Sequence, residues 1–114
     1  MASIVFVTVP EDKADTLARE VVQQRLCACV NIIKGVKSVF WWEGKVEEQK
    51  EVLLLMKTKD SLVPRLQLAV KDAHPYTVPE IIAIRIDSLN KEYLGWLNKV
   101  VDGYGFTGTS RDNI

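Results

Sequence analysis

The chain carries a single histidine, only two cysteines and no surplus of either charge, and each shortage closes off a class of function. Fifteen Lys and Arg balance fifteen Asp and Glu. A chain without excess cations lacks the broad electrostatic footprint that nucleic-acid phosphates demand. The longest apolar runs, Ile4 to Val9 and Val52 to Met56, fall far short of a membrane span. A strand-like run begins almost at the first residue, so no signal peptide is expected. With one histidine, any Ser-His-Asp or Cys-His triad would have to be built around His74, and no nucleophile stands in a diagnostic setting. P-loop and dinucleotide fingerprints are also missing. The usual zinc site of several His and Cys ligands cannot be assembled from one chain.

Cys27 and Cys29 stand two residues apart, and a disulfide across that spacing is not expected. A C-x-C pair binds soft metals only with further ligands, and no other Cys or His lies nearby in sequence. They read instead as two small buried hydrophobes. Free thiols without a disulfide framework point to a reducing, cytoplasmic setting.

What remains is an ordinary globular composition of 114 residues, 47% hydrophobic and 26% charged, enough for one domain with a sizeable core. Ile4 to Val9 is a β-branched run suited to a strand buried on both faces, and Pro10 ends it. Asp12 is positioned to cap a helix whose apolar stripe is Ala14, Leu17, Ala18, Val21 and Val22, ending near Arg25. A second strand region starts at Cys29, is bent or bulged at Lys34-Gly35, and resumes through Trp41-Trp42. Glu43-Gly44 turns the chain back through a charged half and then the apolar half Val52 to Met56, which makes an antiparallel hairpin. Each arm approaches about a dozen residues, roughly twice the usual strand. Such arms overhang a small domain, and adjacent Trp41 and Trp42 must face opposite sides. Either a second subunit covers one indole, or the hairpin curls over its own helices.

Asp60 or Ser61 is expected to cap the next helix, with Pro64 in its first turn and Leu62, Leu66, Ala69, Val70 and Ala73 as its stripe. Ile81 to Ile86 follows as a strand, and Asn90 opens a last helix that runs through Val101. The expected order is β-α-β-β-α-β-α: an α+β, ferredoxin-like β-α-β-β-α-β unit with an added C-terminal helix and a long central hairpin. Residues 1–102 make the domain, and 103–114 are expected to form a flexible tail. RNA-binding modules share this order, but they carry exposed aromatics on central strands, which here are aliphatic.

The stretch His74-Pro75-Tyr76-Thr77-Val78-Pro79-Glu80 concentrates chemistry on a stiff loop, with two prolines fixing the backbone. Two readings of His74 stay open. It caps the preceding helix, or it ligates a metal or anion with help from Glu80, or from Glu51 and Lys57 on the hairpin.

Ala28-Cys29-Val30-Asn31, Ser38 to Lys45, Glu51-Val52, Lys57-Thr58, the His74 to Ile81 segment and Tyr93 to Leu97 occur in the order found in the CutA family, the divalent-cation tolerance proteins. The chain resembles that family from about Ser3 to Val101. The resemblance implies a tightly packed homotrimer of ferredoxin-like subunits with hairpins joining neighbours, and tolerance to copper and other divalent cations. For eukaryotic members it also implies a link to acetylcholinesterase anchoring or processing. No catalytic reaction is established for the family, so no enzyme is expected. Bacterial members with a proposed copper site place a cysteine just before the threonine that is Thr8 here, and a His-His pair before Pro-Tyr. This chain has Val7 and Ala73-His74, so only His74 carries over. The implied picture is a cytoplasmic homotrimer without nucleic-acid or membrane partners. It binds a divalent ion, copper foremost, through His74 beside a cleft of Thr8, Trp42, Glu51, Lys57, Tyr76 and Glu80. A different expectation is a trimer that senses small anionic ligands, in which Lys57, Thr8 and Trp42 matter more. A partner-binding trimer with no ligand is the third.

Overall fold

The β-branched run at the start becomes β1, Ala2–Val9, and sits inside a four-stranded antiparallel sheet of order β2-β3-β1-β4. The other strands are β2, Cys29–Trp42, β3, Lys45–Lys59, and β4, Ile81–Arg85. Helix α1, Glu11–Gln23, links β1 to β2; α2, Val63–Ala73, links β3 to β4; and α3, Lys91–Gly105, follows. This is the ferredoxin-like arrangement with an added C-terminal helix. The computed structural model describes residues 1–105. The final helix thus continues beyond Val101 to Gly105, and the expected tail lies from residue 106 onward outside the described residues.

Helices α1 and α2 cover one sheet face. Val5, Val7 and Val9 of β1 and Val52, Leu54 and Met56 of β3 meet Ala14, Leu17, Val21, Leu66 and Val70 there, all buried. The helical stripe of α1 is thus the one its spacing indicates. Its cap is not. Pro10 occupies the N-cap without a side-chain bond, and Asp12 lies inside the first turn, where its charge favours the positive end of the helix dipole. The C-terminus closes with Arg25 in the left-handed region at φ 58°, its amide and that of Leu26 bonding back to Val22 and Val21.

The second helix also starts differently from expectation. A single 3₁₀ turn, Asp60–Leu62, precedes α2, and neither Asp60 nor Ser61 caps it. The Asp60 carboxylate is engaged elsewhere, accepting from Ser3 Oγ at 2.6 Å and lying 3.8 Å from the terminal ammonium. Ala73 is exposed rather than part of the packed stripe.

The opposite sheet face is only partly covered. Leu97 and Val101 of α3 pack with Ala2, Ala28 and Leu62 at one end. Beyond that end, pairing sets Phe6 beside Leu55 and Ile82, and Ile4 beside Ile84. Ile82 and Ile84 remain 50% and 52% exposed.

The hairpin reaches past the rest of the sheet. β1 pairs with β3 only from Val52 to Lys59, whereas β2 pairs with it out to Trp42 opposite Lys45. The expected irregularity at Lys34-Gly35 is a register shift between Ile33 and Val36, with Gly35 at φ 76°. Glu43 and Gly44, at φ 50° and 81°, form the two-residue turn. The overhang gives extents of 49 × 28 × 21 Å and a radius of gyration of 15.2 Å. A compact chain of this length has about 13 Å. Trp41 and Trp42 point to opposite faces and are 71% and 43% exposed.

Candidate functional site

The loop after α2 is held by its histidine. Imidazole Nε2 lies 2.7 Å from the Thr8 carbonyl oxygen, and the Tyr76 amide donates to Nδ1 at 3.1 Å. A carbonyl only accepts and an amide only donates, so Nε2 carries the proton and Nδ1 offers its lone pair. The ring is therefore a neutral imidazole with both nitrogens engaged by backbone. It is buried, lies tilted against Tyr76 with 4.7 Å between ring centroids, and ties the loop to the end of β1. His74 is the residue at which α2 stops, in extended conformation, but its ring bonds the Thr8 carbonyl rather than a carbonyl of α2.

That anchor turns the phenol of Tyr76 toward the hairpin. Its hydroxyl donates to Glu51 Oε2 at 2.8 Å, and Thr8 Oγ1 donates to Glu80 Oε1 at 3.4 Å. Glu51 is only 7% exposed, and Tyr76 is its one hydrogen-bonding partner among the described residues. Burial first, and then the bond to Glu51 and its negative charge, push the Tyr76 phenol up to about 12. The phenol stays a donor throughout the physiological range.

Between loop and hairpin opens a cleft of about 800 Å³. Of the residues expected there, Thr8, Trp42, Glu51, Tyr76 and Glu80 line it together. His74 lies behind the wall and does not line it, and Lys57 is also absent from the lining, paired on the same sheet with Ile4 and Cys29. Sequence reasoning passed over Ser38, Phe40, Glu47 and Gln49, which line it too. A signal for them existed: the two-residue turn fixes Trp42 opposite Lys45, and counting back by twos pairs Phe40 with Glu47 and Ser38 with Gln49 on one face.

The charge of the lining is one-sided. Glu47, Glu48, Glu51 and Glu80 contribute to it, and no Lys, Arg or His among the described residues does. Outside it, Lys45 stands 3.4 Å from Glu47 and Lys37 3.3 Å from Glu48, both at exposed positions. No ion pair reaches Glu51 or Glu80 among the described residues. Within the described residues, no three His, Cys, Asp or Glu side chains converge closely enough to hold a metal ion. The two cysteines are free thiols, Cys27 buried and Cys29 half-buried, and burial pushes Cys27 up to about 12. No helix among the described residues is long and apolar enough to cross a membrane.

The comparisons with known proteins agree with one another. The model of the family described as CutA1 divalent ion tolerance protein matches residues 3–100. The divalent-cation tolerance protein CutA of Thermus thermophilus is 49% identical over 100 residues, covering 87% of this chain and 97% of that protein. Protein CutA of Mus musculus is 45% identical over 109 residues, covering 95% of this chain but 62% of that longer protein. Among solved structures, the periplasmic divalent cation tolerance protein CutA of Archaeoglobus fulgidus superposes with a TM-score of 0.86 at 37% identity, covering 89% of this chain and 99% of its own.

Proposed function

The chain belongs to the CutA1 divalent ion tolerance family, and on that premise we propose that it is a non-catalytic, self-associating protein of divalent-cation tolerance that takes the ion into the cleft between hairpin and loop. The supporting observation is the lining: four glutamates and, among the described residues, no cationic side chain. A cleft of that charge attracts cations and repels anions, which disfavours an anion-sensing role, and Lys57 does not reach it.

Glu51 and Glu80 are the ligands we put first, since neither is neutralised by an ion pair among the described residues. Copper prefers imidazole and sulfur donors. His74 reaches it only by releasing the Thr8 carbonyl or the Tyr76 amide, and Val7 and Ala73 add no donor. The described residues of one chain supply an incomplete shell, so water or a neighbouring copy in a homotrimer completes it. The unpaired thiols favour a cytoplasmic setting for this chain, although the Archaeoglobus protein carries a periplasmic name.

Calorimetric titration with Cu²⁺, Zn²⁺ and Mn²⁺ tests the assignment. Binding should be lost or weakened in the Glu51→Gln/Glu80→Gln double variant. Affinity for every metal equal to that of the unsubstituted protein would overturn it.

A further inference from the structure

The cleft is far larger than a bare ion needs. At about 800 Å³ it lies in the range of pockets that hold small organic molecules. Its walls are also of two kinds. Phe40 and Trp42 stand two residues apart on β2, hence on one face of the hairpin, and Tyr76 closes the loop side. Glu51 and Glu80 lie beside them, the first more than nine-tenths buried with a single hydrogen bond and no counter-ion among the described residues. A carboxylate so placed is costly unless a cation joins it. Aromatic faces next to unneutralised carboxylates are what an organic ammonium group binds, through ring quadrupole and charge together.

We propose that the cleft binds an aliphatic amine, its ammonium group between Glu51 and Glu80 and its hydrocarbon chain against Phe40 and Trp42. A second ammonium group at the far end meets Glu47, on the same hairpin face as Phe40 and Trp42, whose Lys45 partner is exposed and readily displaced. The ligand class is thus a short diamine or polyamine. The inference shares with the metal reading the idea that the cleft is a cation site, and it adds the use of the aromatic wall, which a metal ion does not need.

Putrescine, its neutral analogue butanediol and Mn²⁺ are titrated calorimetrically into the full chain. Putrescine should bind saturably and butanediol should not. Trp42→Ala should weaken putrescine about tenfold while Trp42→Phe retains most of the affinity, because the ring face is kept. Trp42→Ala should leave Mn²⁺ binding unchanged. Glu80→Gln, at an exposed position that does not threaten folding, should weaken putrescine by at least about tenfold. Failure of putrescine to bind, equal binding of butanediol, or indifference to both Trp42→Ala and Glu80→Gln would overturn the inference. Mn²⁺ binding without putrescine binding leaves the metal reading standing alone. The reverse result removes the metal reading and keeps the amine.

Discussion

His74 gives its proton to the Thr8 carbonyl and its lone pair to the Tyr76 amide, so its removal strands two backbone groups at once. Leaving such groups unsatisfied typically costs about 1–3 kcal/mol. His74→Ala should therefore lower the urea midpoint of the metal-free protein, whereas a histidine that served only as a metal ligand would leave it unchanged. A pH dependence follows at the alkaline end. Cys27 rises from an ordinary 9.0 to about 12, mainly by burial, and Tyr76 from 10.0 to about 12, by burial and then by Glu51. Both groups hold their protons more tightly in the folded chain than in the unfolded one. Their contribution is therefore complete below about pH 9 and is lost as pH rises through about 12. The tyrosinate absorbance of Tyr76→Phe, subtracted from that of the unsubstituted chain, should show one phenol titrating late. A difference centred at the ordinary tyrosine value would refute the buried Tyr76–Glu51 bond.

At the scale of elements, the hairpin decides where the cleft wall stands, and its turn rests on two left-handed residues. Gly44 at φ 81° has nothing within 4 Å of an added Cβ, so Gly44→Ala meets only backbone strain, about 1 kcal/mol. Glu43 at φ 50° occupies the same region with a side chain that disfavours it. Glu43→Asn should stabilise by a few tenths of a kcal/mol, because Asn-Gly is the preferred pair for this turn. Opposite shifts of the urea midpoint check the pair, and equal signs would contradict the turn type. The strands, the helical stripes and the bulge at Gly35 were legible because hydrophobic period and glycine placement are local properties. The caps of α1 and α2 were not; at α2, Asp60 is drawn away by Ser3, a residue 57 positions distant. For the same reason the cleft was legible only in part. Thr8, Tyr76 and Glu80 could be expected from the loop and the family's motifs. The partnering of His74 by the carbonyl of Thr8, 66 residues away, needs the fold.

For the whole molecule, the unbalanced feature is the sheet face left by α3. Ile82 and Ile84 are half-exposed on the edge strand β4 and lie beside Phe6 and Ile4 of β1 on the same face. Exposed apolar area of this continuity is a mark of association. An open sheet edge beside it adds unpaired backbone groups. Among the described residues no helix provides the cover, since α3 packs at the other end against Ala2 and Ala28. A second and third copy can, and closed symmetry lets each copy cover the next without leaving a growing edge. Light scattering on the eluted protein should then give three times the chain mass. Ile82→Lys/Ile84→Lys should reduce it to one, because two lysines buried at a contact cannot stay solvated. The folded monomer should keep its circular dichroism, as neither isoleucine belongs to the core between sheet and helices. Unsubstituted protein that elutes at the mass of one chain would mean that this face meets water in solution, and the cleft would then have to bind its cation with the groups of a single subunit.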